Sequence, residues 1–143
     1  MVDHRRPFRC EVFTPAGKAF AGELVSAIFP APDGLVGVLG GRGPMVTLLG
    51  SGAFTAREIR GSRSVYFVAG GFARFKDNVL TLLADECMPV EQIDAEAAWK
   101  DIEQAQRLPE ETPAQFEVRE RTLKTARDKF NLAQKYRKET GII

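Results

Sequence analysis

Gly34 to Gly52 reads GLVGVLGGRGPMVTLLGSG, and this stretch decides the fold. It carries seven glycines (34, 37, 40, 41, 43, 50 and 52) around two short apolar runs, Leu35–Leu39 and Met45–Leu49. Fragments this short, punctuated by residues that reach positive φ without a steric penalty, predict strands joined by tight turns. The rival is a phosphate-cradling loop. Gly41-Arg42-Gly43 runs into Pro44-Met45-Val46, so neither a dinucleotide fingerprint nor a Gly-Lys-Ser/Thr ending is present. Pro44 also lacks the N–H that an anion nest needs. The glycines are read as shaping a surface rather than holding a nucleotide.

Upstream, Phe8, Cys10 and Val12 alternate with polar residues, a strand period that points Cys10 inward as a small hydrophobe. Thr14-Pro15-Ala16-Gly17 reads as a turn, Lys18 to Phe29 as one or two strands, and Ala31-Pro32-Asp33-Gly34 as a second turn. Downstream, Ala53–Ile59 is a weaker strand and Val65–Ala69 an apolar, central one. Gly70-Gly71 is expected to break that strand before Phe72–Lys76, an Asp77-Asn78 turn and Val79–Leu83. Short strands at this spacing, with turn signals throughout, predict an all-β sandwich or barrel over residues 1–90.

The period then changes. Residues 91–143 read as a second domain, a helical hairpin. Asp94 is a candidate N-cap with Glu96 near the positive end of the helix, and Ala98, Ile102 and Ala105 share a face. Pro109 ends this helix, and Thr112-Pro113-Ala114-Gln115 restarts one, with proline at the first helical position and a capping box. Phe116, Leu123, Ala126, Phe130 and Ala133 are expected to line its apolar side. Trp99 lies beside the first helix's stripe and is expected to make the contact with the β domain. At about 0.8 kcal/mol per buried CH₂, a seam lined by alanine holds two helices weakly.

Charge is unevenly spread although the net is +1. Lys/Arg against Asp/Glu number ten to six in residues 1–84, two to nine in 85–113, and eight to four in 114–143. An acidic block followed by a basic one attract each other, or a partner competes for one of them. His4 is the only histidine, and Cys10 and Cys87 are far apart in sequence. Usual zinc sites and Ser–His–Asp or Cys–His centres therefore cannot be built within one chain. Two free thiols, with no secretion signal or membrane-length apolar run, read as an intracellular protein. Nucleic-acid binding through the basic helix is disfavoured, because aromatics are not interleaved with its cations and an acidic helix lies beside it. Asp85 and Glu86 offer carboxylates for a small enzyme but no second group to work with.

The order of the pieces resembles the epsilon subunit of F-type ATP synthases, equivalent to the mitochondrial delta subunit. Gly37-Val38-Leu39-Gly40-Gly41-Arg42-Gly43-Pro44-Met45 is similar to that family's Gly-Ile-Leu-Pro-x-His-Ala-Pro-Leu. Ala69-Gly70-Gly71-Phe72 matches its Ser-Gly-Gly-Phe, Val79 to Asp85 its Val-Thr-Val-Leu-Ala-Asp strand end, and Phe20-x-Gly22 is a further match. The resemblance implies an α+β chain: a flattened ten-stranded β-sandwich followed by an antiparallel two-helix hairpin. It implies a non-catalytic rotor subunit that binds the gamma subunit of the central stalk and rests on the c-subunit ring. It further implies that the hairpin extends along the stalk to meet acidic loops of the catalytic beta subunits and hinder ATP hydrolysis. The implied location is peripheral, at the cytoplasmic face of a bacterial energy-transducing membrane, touching that membrane only through the complex.

By position, Thr14, Arg42 and Thr47 are expected to face the stalk, and Asp33, Gly34, Leu35 and Val36 the ring. Arg119, Arg121, Lys124, Arg127, Lys129, Lys135, Arg137 and Lys138 form the expected regulatory basic helix. Gly40 and Arg42 stand where the family has proline and histidine. Some bacterial members bind ATP through Ile/Leu-Asp-x-x-Arg-Ala, which here reads Ile93-Asp94-Ala95-Glu96-Ala97-Ala98. Without the arginine the charge-assisted bonds to phosphate are lost, so ATP binding is expected to be weak or absent, with no other cofactor. The residues alone also fit a free-standing sandwich binding module with a helical dimerisation hairpin.

Overall fold

The computed structural model describes residues 6–140, so His4 lies outside the described residues. The strands are β1 (Phe8–Thr14), β2 (Gly17–Leu24), β3 (Ser26–Ala31), β4 (Gly34–Leu39), β5 (Met45–Leu48), β6 (Gly52–Arg57), β7 (Arg63–Lys76) and β8 (Val79–Pro89). A 3-10 turn at Val90–Gln92 leads to α1 (Ala95–Gln106) and α2 (Pro113–Thr140). The chain divides into two compact units, Met1–Pro89 and Val90–Ile143.

The resemblance implies ten strands, and the structure forms eight continuous ones. The difference lies in β7 and β8. Residues 63–68 of β7 pair with β6, while residues 72–75 pair with β5. β8 follows β7 along its length, and its first part, from Val79 to Leu83, also pairs in parallel with β1. Each long strand therefore serves two layers. One layer runs β5, the end of β7, the start of β8, β1, β2; the other runs the end of β8, the start of β7, β6, β3, β4. That makes five segments in each layer.

Gly70 and Gly71 turn the corner instead of breaking the strand. Their φ angles are +71° and +95°, and a Cβ on Gly71 would overlap the Leu83 carbonyl of the paired strand. Only a residue without a side chain lets β7 bend while its ladder to β8 continues.

The core fills the space between the layers. Phe8, Cys10 and Val12 are buried as their alternation predicts, against Phe29, Phe54, Val68, Phe75, Leu80 and Leu82. Phe8 meets Phe75 edge-on at 5.7 Å between ring centres, and Phe20 meets Phe54 and Tyr66 at 5.9 and 5.4 Å. Each buried phenylalanine contributes about 2–3 kcal/mol over an exposed one, so this body is well held.

In the second unit the caps form as read. The Asp94 carboxylate accepts from the Glu96 and Ala97 amides at 3.0 and 3.3 Å. The Gln115 amide donates to Thr112 Oγ1 at 3.1 Å, and Gln115 Oε1 accepts from the Thr112 amide at 3.1 Å, a closed capping box. The seam between the helices is Ile102, Ala105, Leu123 and Ala126, flanked by Leu108 and Phe130. Phe116 departs from the expected stripe and is 49% exposed. It lies in the first turns of α2, ahead of the part of that helix that faces the apolar stripe of α1.

Candidate functional site

The outer face of the first layer carries an apolar row that sequence reading missed. Leu48 pairs with Phe72, Phe72 with Leu83, and Leu83 with Phe13, so the four side chains lie side by side across β5, β7, β8 and β1. Leu48, Phe72 and Leu83 are 53%, 53% and 54% exposed, and Val46, two residues from Leu48 on the same face, is 71% exposed. Lys18 Nζ sits 5.5 Å over the Phe13 ring at the end of the row. Glu11, one row away, accepts from Lys18 at 2.9 Å, and this bond holds its carboxyl below the usual range. Contiguous exposed apolar side chains rimmed by charge mark a contact surface. The signal was present in the sequence, because Phe72 and Leu83 stand at alternate positions to the buried Ala73 and Leu82. It becomes a row only once the register of four strands is known.

The positions expected to face a stalk are spread along this layer. Thr14 shapes the turn after β1: its hydroxyl donates to the Gly17 carbonyl and accepts from the Ala16 amide, both at 3.2 Å. Thr47 pairs with Ala73 in the core-side row of edge strand β5 and is half-buried. Arg42 is exposed, and its Nη1 donates to the Gly37 carbonyl at 2.9 Å. Of the positions expected to face a ring, Asp33 is in the turn between β3 and β4, and Gly34, Leu35 and Val36 are the first residues of β4. Asp33 and Gly34 are exposed, Leu35 is 72% exposed, and Val36 packs on the core.

Asn78 joins the glycine turn to the rest of the sandwich. Its Oδ1 accepts from the Gly41 amide at 3.0 Å, and its Nδ2 donates to the Pro7 carbonyl at 2.8 Å. Its backbone carbonyl accepts from the Arg9 amide at 3.2 Å. Asp77 and Asn78 have φ of 51° and 61°, the two-residue hairpin geometry that asparagine tolerates well.

In the second unit the basic residues of α2 divide. Arg121, Lys124, Arg127, Lys135 and Lys138 are exposed, while Lys129 is half-buried and Arg137 exposed. Lys124 is paired with Asp128 at 2.7 Å. Arg121, Lys124 and Arg127 line a shallow depression together with Glu120, Asp128 and Asn131. Arg119 sits apart from them. Its side chain is 19% exposed, with Nη1 at 3.5 Å from Glu110 and 3.2 Å from Glu120, and Nη2 donates to the Gln106 carbonyl at the end of α1 at 3.3 Å. Around the degenerate nucleotide motif, Ile93 and Ala98 are buried, Ala97 is exposed, and Asp94 caps α1.

Cys10 and Cys87 are free thiols. Burial pushes the Cys10 thiol up to about 12 and the Cys87 thiol up to about 11. Among the described residues no helix is long and apolar enough to cross a membrane.

Comparison with known proteins fits this geometry. A family model for the beta-sandwich domain of the ATP synthase Delta/Epsilon chain matches residues 7–90. The ATP synthase epsilon chain of Rhodopirellula baltica is 32% identical over 126 residues, covering 88% of this chain and 98% of that one. The epsilon chain of the sodium ion specific ATP synthase of Propionigenium modestum is 30% identical, covering 90% of this chain and 95% of its own. A chain of the Euglena gracilis mitochondrial ATP synthase, solved as an OSCP/F1/c-ring assembly, shares the fold with a TM-score of 0.73 at 21% identity, covering 90% of this chain and 81% of that one. A chain from the Tetrahymena thermophila mitochondrial ATP synthase central stalk and c-ring shares it with a TM-score of 0.70 at 12% identity, covering 92% and 99%. With its sandwich matched from end to end and a relative aligned along nearly its whole length, the chain belongs to the delta/epsilon chain family of ATP synthases.

Proposed function

We propose that the chain is a non-catalytic rotor subunit of a bacterial F-type ATP synthase, seated peripherally on the cytoplasmic side of the membrane. Its sandwich grips the gamma subunit and rests on the c-subunit ring. Its hairpin regulates ATP hydrolysis by exchanging a folded state for an extended one that meets acidic loops of the catalytic beta subunits. The observation that carries this reading is the outer apolar row Leu48–Phe72–Leu83–Phe13, exposed at its first three members and half-buried at Phe13, on a stiff body. A rotor part must pass torque, and an apolar patch backed by a packed core does so without deforming.

The hairpin has the opposite property. Its seam of Ile102, Ala105, Leu123 and Ala126, with Leu108 and Phe130 partly buried at its flanks, is much smaller than the core of the sandwich, so a population shift between two states needs only a modest bias. ATP does not supply that bias in this chain: Ala97 replaces the arginine, and Asp94 Oδ1 is engaged by two backbone amides. Calorimetry giving millimolar or tighter ATP binding would contradict this part. The stalk contact is tested by capture of the purified gamma subunit. Wild type is expected to retain it, and Phe72→Glu to lose it by about tenfold or more, since a charge would sit in an apolar contact. Equal capture by both would overturn the assignment of the row.

A further inference from the structure

β4 is an edge strand whose sequence reads the same in both directions. Gly34-Leu35-Val36-Gly37-Val38-Leu39-Gly40 is a palindrome centred on Gly37. Among the described residues β4 pairs with β3 alone. The Pro30 carbonyl, opposite Leu35, accepts from the Gly50 amide at 2.9 Å and so turns away from β4. Backbone groups alternate in direction along an antiparallel pair, so Leu35, Gly37 and Leu39 aim theirs at the open edge. The Gly37 carbonyl accordingly accepts from Arg42 Nη1 at 2.9 Å, a single bond from an exposed side chain. Edge strands are ordinarily guarded by charge, proline, shortness or a bulge. β2 carries Lys18 and Glu23 and an irregular register, and β5 is a short strand behind Pro44. β4 consists of glycine, leucine and valine only. Leu35 and Leu39 are 72% and 48% exposed on its outer face, and Ile28, opposite Gly37 on β3, is 42% exposed.

We propose that β4 is a docking strand for a second copy of this chain, the two strands pairing antiparallel about a two-fold axis at Gly37. In that register Gly37 meets Gly37, Val36 meets Val38, and Leu35 meets Leu39 of the second copy, so every side chain keeps to its own face. Two leucine pairs and the two Ile28 side chains then surround the glycines at the axis, where a Cβ on Gly37 would meet nothing within 4 Å. A two-fold contact needs a surface complementary to itself, and a palindromic strand is one. Arg42 yields the Gly37 carbonyl to an amide of the second copy. The same pairing sets the end of β4 that carries Arg42 beside the second copy's end that carries the exposed Asp33, so opposite charges meet at both ends. A contact of one short strand a side makes a concentration-dependent dimer rather than an obligate one. The proposal does not rest on the rotor reading, because it concerns the chain by itself.

The test is sedimentation equilibrium of the full chain alone. Wild type should dimerise as concentration rises. Leu35→Glu and Leu39→Lys, both at exposed positions, should each weaken the dimer about tenfold or more by setting a charge against a leucine. An equal mixture of the two variants should recover it, because the mixed pair sets the new carboxylate opposite the new amine at one end and leucine opposite leucine at the other. Gly37→Cys should form a covalent dimer under a mild oxidant, since opposed Cα atoms in a bonded antiparallel pair lie about 5.5 Å apart, within disulfide reach. Leu35→Cys, whose two copies sit at opposite ends of the pairing, should not. Wild type that stays monomeric up to about 1 mM overturns the proposal. A dimer that both single variants leave intact has its interface elsewhere and overturns it too. A mixture no tighter than its components overturns the antiparallel register and the axis at Gly37 with it.

Discussion

At the scale of single residues, Arg119 and Cys10 are the two whose surroundings most change their expected behaviour. Arg119 belongs by charge to the basic face of α2, yet its guanidinium reaches back to the Gln106 carbonyl and to Glu110 and Glu120. It closes the loop end of the hairpin. Arg119→Met should destabilise the second unit by about 1 kcal/mol, because bonds from a charged donor are lost while both freed carboxylates stay largely in water. Trp99 is the only tryptophan, and it packs on Phe130 of α2 at 5.3 Å, so its fluorescence reads the opening directly. An unchanged denaturation midpoint in that signal would remove the clasp from the account. Cys10 lies fully buried between the layers, and burial raises its thiol to about 12 from an unperturbed 9.0. A raised folded-state value means the stability it contributes is intact below pH 9.0 and declines as pH climbs from there towards 12. A thiol reagent at pH 8 should therefore modify Cys10 only after unfolding, and rapid native-state labelling would contradict its placement.

At the scale of elements, the long strands and the hairpin carry opposite instructions. Gly71 lets β7 run through both layers, and its φ of +95° combines with a carbonyl where a Cβ would stand. Gly71→Ala should cost at least about 2 kcal/mol, read as a lowered midpoint of sandwich unfolding. A wild-type midpoint would mean the bend does not need glycine. The sequence told of this corner through the Gly-Gly pair but not of its consequence. A glycine pair reads equally as a break or a bend, and the continuing ladder from β7 to β8 decides between them. The alternation of Phe8, Cys10 and Val12, the Asp94 cap and the Thr112–Gln115 box were fully legible, because each is set by neighbours a few residues away. The Leu48–Phe72–Leu83–Phe13 row and the Asn78 bonds were not, since they depend on register between strands up to 71 residues apart. Phe116 was misplaced because helical period alone does not say where the partner helix ends.

At the scale of the molecule, two compact units with different internal glue suit the two tasks proposed for this chain. The unit Met1–Pro89 buries phenylalanine and leucine between two layers and shows an apolar row outside. The unit Val90–Ile143 is held by a thin seam and presents exposed cations on α2. A rigid part that grips and a weakly closed part that opens are what coupling and regulation respectively require. The most direct measurement is ATP hydrolysis by the purified complex carrying either the full chain or the chain ending at residue 90. The account predicts that the shortened chain still assembles with gamma and that hydrolysis rises. Hydrolysis unchanged in a fully assembled complex would contradict the regulatory role of the hairpin.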